Sequence, residues 1–399
     1  MQKLIIIRYG EMTLKKDNYR FFLNKLKDSF KSRFKSLALE YNLDKYRGYL
    51  YYDEALEEKV IDNLQTISGL YSYSVCEKAP KDLDSVSLKG TELLKKETFS
   101  TYKLETKRAD KTYPLTSIEI SKEVAKRIVP KFPDKKVDVH NPDIVLNIDW
   151  RFDGAYLYTK EVKLIGGYPQ LTASSTLALL SGGIDSPVSL YLMLKKGMHV
   201  EALYFESPPH TSQDALQKVI SLAERLASYT SSLTLTLHTI SVTKIQEAIL
   251  DYCDNKYLVT LLRRQMIRLS DVLRKAQKLS SLTTGESIGQ VASQTVEGMK
   301  SLENLSDAII FRPLLTYDKE EIIKISRTIK TYDISVLPYE DCCTVFVPMH
   351  PVIKPVLSDI VNEEKKLDLD TLISEAFKTL KSYTVKAGER INVYLNGNK

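Results

Sequence analysis

Cysteine is scarce in this chain, with four among 399 residues. So few thiols exclude a disulfide-stapled scaffold and point to a reducing compartment, the cytoplasm. Cys-x-x-Cys does not occur, and the five histidines (His140, His199, His210, His238, His350) show no ligand spacing, which argues against a zinc site. No run of eighteen or more apolar residues is present, so nothing reads as a membrane span. The opening residues Met1–Gly10 form too short an apolar run for a signal peptide and read as a first strand. Internal repeats and low-complexity tracts are lacking as well. What remains, 43% apolar and 27% charged residues, is the composition of a globular chain long enough for two or three domains with their own cores.

The densest information lies at Leu179-Leu180-Ser181-Gly182-Gly183-Ile184-Asp185-Ser186-Pro187-Val188. An apolar run ends in two glycines, and a helix opens at Asp185-Ser186-Pro187, where serine or aspartate can cap and proline costs no hydrogen bond. Adjacent glycines let a ligand approach the backbone, and the bare N–H groups of a helix start attract an anion. The spacing fits neither the Walker loop nor the Gly-x-Gly-x-x-Gly fingerprint. It fits Ser-Gly-Gly-x-Asp-Ser, the PP-loop of enzymes that split ATP into AMP and pyrophosphate. ATP is therefore the expected cofactor. Asp185, opening the helix beside the phosphates, is the expected holder of Mg²⁺.

The net charge of +6 is unevenly placed. Lys15, Lys16, Arg20, Lys25, Lys27, Lys31, Arg33 and Lys35 crowd one stretch, and Lys103, Lys107, Arg108 and Lys111 another. Either can be a solvated face; with an ATP site beside them, both suit a polyanion such as RNA. Strand and helix periodicities divide the chain into a small α+β unit (1–57), a second α+β unit (58–165) and a βαβα unit (166–399), with Gly166-Gly167-Tyr168-Pro169 as linker. In the last unit, alternation of short apolar strands with helices implies a parallel sheet. One long helix is expected over Val242–Lys278 and another from Gln290.

Six segments carry a family resemblance: Arg8-Tyr9-Gly10-Glu11; Lys107-Arg108-Ala109-Asp110-Lys111 with Pro114-Leu115-Thr116-Ser117; Asn141-Pro142-Asp143; the loop at 181–188; Phe205-Glu206-Ser207-Pro208-Pro209; and Thr284 through Gln294. In this order they resemble the bacterial tRNA 4-thiouridine synthetases, in the short form without a rhodanese domain. The resemblance implies a ferredoxin-like N-terminal domain, a THUMP RNA-binding domain and a PP-loop catalytic domain. It implies a nucleotide pocket of Leu179, Leu180, Ser181, Gly182, Gly183, Asp185, Ser186, Tyr204, Phe205, Arg263, Gly285 and Gln294, with Arg263 reaching the phosphates. It implies tRNA as substrate, bound in part by Lys107, Arg108 and Lys111. A cysteine desulfurase is the implied sulfur donor, the thiazole sulfur-carrier protein of thiamine synthesis a second acceptor, and a homodimer is admitted. One departure is Leu171-Thr172-Ala173-Ser174-Ser175-Thr176, which stands where family members usually carry Gly-x-x-Gly-Lys.

Asp341-Cys342-Cys343-Thr344 lies between Pro338 and Pro348, in a loop. Vicinal cysteines do not easily form a relaxed disulfide with one another, and loop thiols in a reducing compartment are better explained by chemistry than by packing. The family analogy places a persulfide here, on Cys343 in preference to Cys342. Cys253, expected inside a helix, and Cys76, near a strand end, read as packing residues. Two other readings are an amidating PP-loop synthetase, which gives the cysteine pair no role, and an RNA-binding protein with a vestigial nucleotide fold, which does not need an intact loop.

Overall fold

The computed structural model describes residues 2–37, 39–339, 346, 348, 351–389 and 391. They form two compact units, 1–167 and 168–399.

The first unit opens with β1 (Gln2–Tyr9), α1 (Tyr19–Phe34), β2 (Glu40–Leu43), β3 (Gly48–Asp53) and α2 (Glu57–Gln65). It continues through β4 (Leu70–Ala79), α3 (Leu83–Leu94), β5 (Thr101–Arg108), α4 (Ser117–Ile128), β6 (Lys136–Val137), β7 (Ile144–Arg151), β8 (Gly154–Tyr158) and β9 (Val162–Lys163). The strands share one sheet in the order β2-β3-β1-β4-β8-β7-β5-β6, with β9 on β4. β4 is its hinge: Leu70–Cys76 pair with β1 and Glu77–Ala79 with β8, so a single ten-residue strand belongs to both halves. One set of helices packs on Ile5, Ile7 and Leu50, the other on Leu146, Ile148 and Trp150.

The opposite face of this sheet coils on itself. Tyr49 of β3 and Tyr156 of β8 bring their ring centroids to 5.5 Å although two strands separate them in the sheet. At a flat spacing of about 4.8 Å per strand they would stand roughly 14 Å apart. The coil encloses Leu4, Ile6, Cys76 and Tyr158, and Arg8 lies 4.8 Å over the Tyr158 ring while donating to Ser74 Oγ at 3.1 Å.

The second unit comprises β10 (Ser175–Leu179), α5 (Asp185–Lys195), β11 (His199–Glu206), α6 (Gln213–Ala227), β12 (Thr234–Ser241), α7 (Thr243–Tyr252), α8 (Leu258–Ala276) and β13 (Ser281–Thr283). α9 (Val296–Lys300), β14 (Ile309–Phe311), α10 (Lys319–Thr328), α11 (Tyr332–Ser335), α12 (Leu357–Glu364), α13 (Leu369–Phe377) and β15 (Lys381–Lys386) follow. Its sheet runs β14-β13-β10-β11-β12-β15, parallel throughout except for β15, which closes one edge antiparallel to β12. The sequence reading of a wholly parallel sheet is corrected there; an antiparallel edge strand on such a sheet is common.

Two helix expectations are also corrected. Val242–Lys278 is not one helix. α7 stops at Tyr252, and Asp254 caps a new turn by accepting from Lys256 N at 3.1 Å, so Cys253 ends a helix rather than sitting inside one. Aspartate's preference for caps outweighed the apolar periodicity that continues on both sides. Gln290–Gln294 form a turn closed by Gly289 N on Gln294 O (2.9 Å), and the helix begins only at Val296, capped by Thr295.

Near the edge of the second sheet, Glu201 accepts from His238 Nε2 at 2.9 Å and faces His199 Nε2 at 3.4 Å; the His238 ring is buried. Those two imidazoles hold its carboxyl down to about 2. Because the folded value is depressed, the stabilisation is full above the ordinary glutamate range and is lost as pH falls toward 2. Glu201→Gln should therefore cost on the order of 2 kcal/mol at pH 6. The gap to wild type in urea unfolding should narrow progressively below about pH 4.5; a gap that stays constant down to pH 3 would contradict the assignment.

Candidate active site

The phosphate loop is built by its own side chains. Ser186 Oγ accepts Ser181 N at 2.8 Å and lies 3.0 Å from Ser181 Oγ, while Gly183 N donates to Ser181 Oγ at 3.3 Å. Leu180 N bonds Leu203 O at 2.8 Å, which ties the loop to the neighbouring strand. α5 then starts at Asp185 with Ile184 in the cap position and no side-chain cap, a departure from the expected serine or aspartate cap. Its first N–H groups thus face the loop's concavity uncapped by a side chain, the arrangement that binds phosphate. Pro187 falls in the first turn, where its missing N–H is not needed.

Gly285 follows β13 and presses on the same helix start. A Cβ there would stand 2.9 Å from Ser186 N and 3.0 Å from its Cα, so no side chain fits without moving the loop. The connection that follows, 286–294, runs across the loop's mouth. Between them lies a cavity of about 290 Å³. The structure brings Leu179, Leu180, Ser181, Gly183, Asp185, Ser186, Tyr204, Phe205, Arg263, Gly285 and Gln294 to its wall, together with Leu203, Val259, Met266, Ile267 and Leu302. Gly182, of the residues the sequence named, is not part of that wall.

Several side chains that the sequence left without a role organise this cavity. Lys319, at the start of α10, pairs with Asp185 Oδ1 at 2.7 Å, and Gln290 Nε2 donates to Asp185 Oδ2 at 2.7 Å. Glu286, buried, accepts from Thr284 Oγ1 (2.8 Å) and Arg312 Nε (2.7 Å) and pairs with Arg263. Arg263 also donates to Ser293 O, so its guanidinium holds the crossing connection as well as lining the cavity. Glu286 and Gln290 lie inside the segment Thr284–Gln294 that carried resemblance; Lys319 had no signal beyond its charge.

Cys342 and Cys343 fall outside the described residues. Of the other two thiols, burial pushes Cys76 up to about 12 and also raises Cys253, whose Sγ sits 3.5 Å from Glu363 O. Both are poor nucleophiles in consequence.

In the first unit the basic cluster divides. Lys107 and Lys111 are exposed. Arg108 instead turns its Nη1 onto Tyr113 O (2.6 Å) and Leu115 O (2.7 Å), holding the loop that leads to the Thr116–Glu119 capping box of α4. Asp110, buried, accepts from Lys81 at 2.6 Å and from the Thr112 backbone and hydroxyl; these contacts hold its carboxyl down to about 2. Along α1 the basic residues are mainly solvated, but Arg33 points inward and donates to Thr66 Oγ1 at 2.6 Å.

A parallel sheet with an uncapped helix N-terminus at the carboxyl end of β10, beside a largely apolar cavity, defines a phosphate-loop nucleotide enzyme of the α/β class. Comparison with known proteins narrows this. The ThiI ferredoxin-like domain matches residues 4–74, the THUMP domain residues 80–160, and the thiamine biosynthesis protein (ThiI) family residues 171–369. A "Probable tRNA sulfurtransferase" of Acholeplasma laidlawii (strain PG-8A) is 41% identical over all of this chain and 97% of its own length. A protein of the same description from Clostridium kluyveri is 40% identical over 94% of this chain and 98% of its own. Among solved structures, a 4-thiouridine synthetase–RNA complex with bound ATP superposes with a TM-score of 0.86 at 32% identity, covering 97% of this chain and all of that one. The chain belongs to the tRNA sulfurtransferase family.

The tight approach at Gly285 is directly testable. Gly285→Ala should raise the ATP concentration needed for half-maximal pyrophosphate release at least tenfold, because the new methyl meets backbone rather than a movable side chain. Thermal unfolding should shift by only a few degrees. Unaltered ATP dependence would show that the loop opens freely.

Proposed function

We propose that this protein uses ATP to replace O4 of uridine 8 in tRNA by sulfur, giving 4-thiouridine. The observation that carries the reading is the uncapped start of α5 over a nucleotide-sized cavity, in a chain related over its full length to tRNA sulfurtransferases.

ATP fits the cavity with its phosphates at the first turn of α5 and its base against Leu203, Val259, Met266 and Leu302. Uridine O4 is a poor leaving group. Its attack on the α-phosphorus forms an O–P bond and expels pyrophosphate, leaving AMP on the base. Lys319, held at the loop by Asp185, supplies positive charge where pyrophosphate departs. A persulfide on Cys343 then forms the C–S bond at C4 and expels AMP. A thiolate, of Cys342 or of an external reductant, then attacks Cys343 Sγ, breaking the S–S bond so that the sulfur stays on C4 and leaving a disulfide on Cys343; with Cys342 that disulfide is strained, and in either case an external thiol reopens it.

Among the described residues no cluster of three or more His, Cys, Asp or Glu could hold a metal. A Mg²⁺ arriving on the triphosphate needs only one protein carboxylate. Asp185 fits that part, since each carboxylate oxygen has a second lone pair beyond its bond to Lys319 or Gln290. Its contribution there would be to neutralise phosphate charge.

A cysteine desulfurase as sulfur source, a thiazole sulfur-carrier protein as second acceptor and a cytoplasmic location belong to the same reading, and a homodimer accords with it. No described helix is long and apolar enough to cross a membrane.

The central test is pyrophosphate release from ATP on adding tRNA, with nucleoside mass analysis for 4-thiouridine. Asp185→Asn should abolish AMP and pyrophosphate formation while tRNA affinity stays within a few-fold; normal release would remove Asp185 from the reaction. Cys343→Ser should still release pyrophosphate but make no 4-thiouridine, because serine cannot carry a sulfane sulfur. Cys342→Ser should slow turnover more than a single round of transfer. Full thiolation by the double variant would exclude the pair.

For RNA, alanine at Lys107 and Lys111 should weaken binding evenly across tRNAs, flattening the salt slope by about one unit per lost phosphate contact. Arg108→Ala should weaken binding through its loop, with thermal stability falling as well. An unchanged salt slope in the lysine variants would return the cluster to a solvated face.

A further inference from the structure

Two connections meet beside the cavity. One, 284–294, leaves β13 and crosses the mouth of the phosphate loop. The other, 312–318, leaves β14 at the edge of the sheet and leads to α10. They are bonded to each other: Thr284 N donates to Phe311 O at 3.0 Å, Ile288 N to Leu315 O at 3.1 Å and Ser287 Oγ to Tyr317 O at 3.1 Å. Arg312 stands at their root. Its Nε donates to Glu286 Oε2 at 2.7 Å and its Nη1 pairs with Glu303 at 2.7 Å, while Nη2 is buried without a hydrogen-bond partner. Glu286 also takes the Thr284 hydroxyl on Oε2 and turns Oε1 to Arg263. Glu286 and Arg263 belong to the cavity wall and Arg312 does not. A chain of side chains thus runs from the sheet edge to the cavity: Arg312, Glu286, Arg263.

The side chains of Arg263, Arg312 and Glu286 are 16, 12 and 8% exposed, so two guanidiniums share one carboxylate largely out of water. Glu303, the second partner of Arg312, is 54% exposed and its charge is screened by solvent. As a brace for connections already hydrogen-bonded to each other, this arrangement is costlier than a single pair. One arginine satisfies Glu286; a second adds like-charge repulsion and a buried donor without a partner. What the second arginine changes is electrostatic. It holds one oxygen of Glu286 and divides the carboxylate's attraction between two cations. Arg263 is then bound less tightly than a lone partner would be, and the set keeps positive charge at the cavity wall for an anion.

We propose that Arg312 is a positioning residue for pyrophosphate formation. By occupying one oxygen of Glu286 it keeps Arg263 from being captured by that carboxylate, so that the Arg263 guanidinium is available to the phosphates. Arg312 acts through Glu286 and makes no contact with the nucleotide itself. This rests on the reading that Arg263 meets the phosphates of ATP. Charge on the α-phosphate and the departing pyrophosphate grows as the bond to uridine O4 forms, so a captured Arg263 lowers kcat more than it raises KM.

The test uses the full-length enzyme with tRNA and ATP and reads pyrophosphate release. Arg312→Met keeps most of the apolar stem and removes the charge. Its kcat should fall at least tenfold, with KM for ATP changed less than threefold. Glu286→Gln added to Arg312→Met removes the carboxylate that captures Arg263, so the double variant should be at least threefold faster than Arg312→Met alone. Arg312→Lys, which keeps a cation without the fork, should stand between wild type and Arg312→Met. It carries the same comparison, with and without Glu286→Gln, if the methionine variant does not fold. A kcat within twofold of wild type in Arg312→Met would overturn the proposal. So would a double variant no faster than the single one, which a merely structural arginine would give. If Arg263→Ala releases pyrophosphate at the wild-type rate, the reading of Arg263 itself falls; if Arg263 is required and the Arg312 variants behave as wild type, only the positioning role falls.

Discussion

On the proposed reading the second unit is organised around one backbone requirement, that the first turn of α5, which has no side-chain cap, present its N–H groups to an anion. Ser181 and Ser186 meet it by bonding to each other across the loop instead of capping the helix. Gly285 meets it from the other side, bringing a neighbouring connection to the contact limit of Ser186 without adding an atom that would fill the anion's place. Ser189, one turn further on, donates to Thr284 O at 2.8 Å and locks helix to strand end. Anchoring of both β10 and β13 at the centre of a parallel sheet then makes the loop rigid, as electrostatic catalysis demands of its donors.

Charge near the cavity is arranged in closed sets rather than as a cationic funnel. Arg263 and Arg312 converge on Glu286, and Asp185 holds Lys319. At the burial of Arg263, Arg312 and Glu286, an uncompensated arginine or carboxylate would be costly. Arg263 pairs with Glu286 and Ser293 O, so its first task is to keep the 286–294 connection over the cavity. Lys319, by contrast, is nearly half exposed in its pair with Asp185. On the proposed reading, ATP binding exchanges partners within existing pairs and does not have to desolvate new charge.

The first unit solves a different problem, that of joining two small α+β halves without a soft junction. β4 does so by running through both, pairing with β1 and then with β8. The sheet coil that results brings Arg8, Ser74 and Tyr158 together under the tyrosines of β3 and β8. Arg8 lies over the Tyr158 ring and donates to Ser74 Oγ at the same time, using different parts of one guanidinium. That explains why Arg8-Tyr9-Gly10-Glu11 carried a family signal although it lies far in sequence from the lysine cluster. The arginine belongs to the junction, while Tyr9 donates to Arg47 O at 2.7 Å in the turn before β3.

What could be read from the sequence, and what could not, follows from the range of the interactions involved. The phosphate loop was legible because its requirement is local: two glycines, a strand before and a helix after. Strands of the second unit's centre were legible for the same reason, being short apolar runs buried on both faces. β2 and β15 were not, because edge strands bury one residue in several: only Leu43 in β2 and Val385 in β15 are buried. The Val242–Lys278 stretch misled because apolar periodicity persists through Asp254, and a cap overrides periodicity only where the chain has somewhere to turn. Partners distant in sequence were hidden altogether. Glu286 with Arg312, Asp185 with Lys319 and Lys218 with the carbonyls of Leu337 and Tyr339 join residues that no spacing rule connects. In each pair one member is a charge that looks like ordinary surface in the sequence, and only its partner in the fold shows what it does. Arg108 shows the converse: a cation that seemed poised for phosphate is mostly consumed in holding the loop between β5 and α4. The motifs therefore located the loop and the cavity beside it; the side chains that brace that cavity became visible only once the sheet had brought them together.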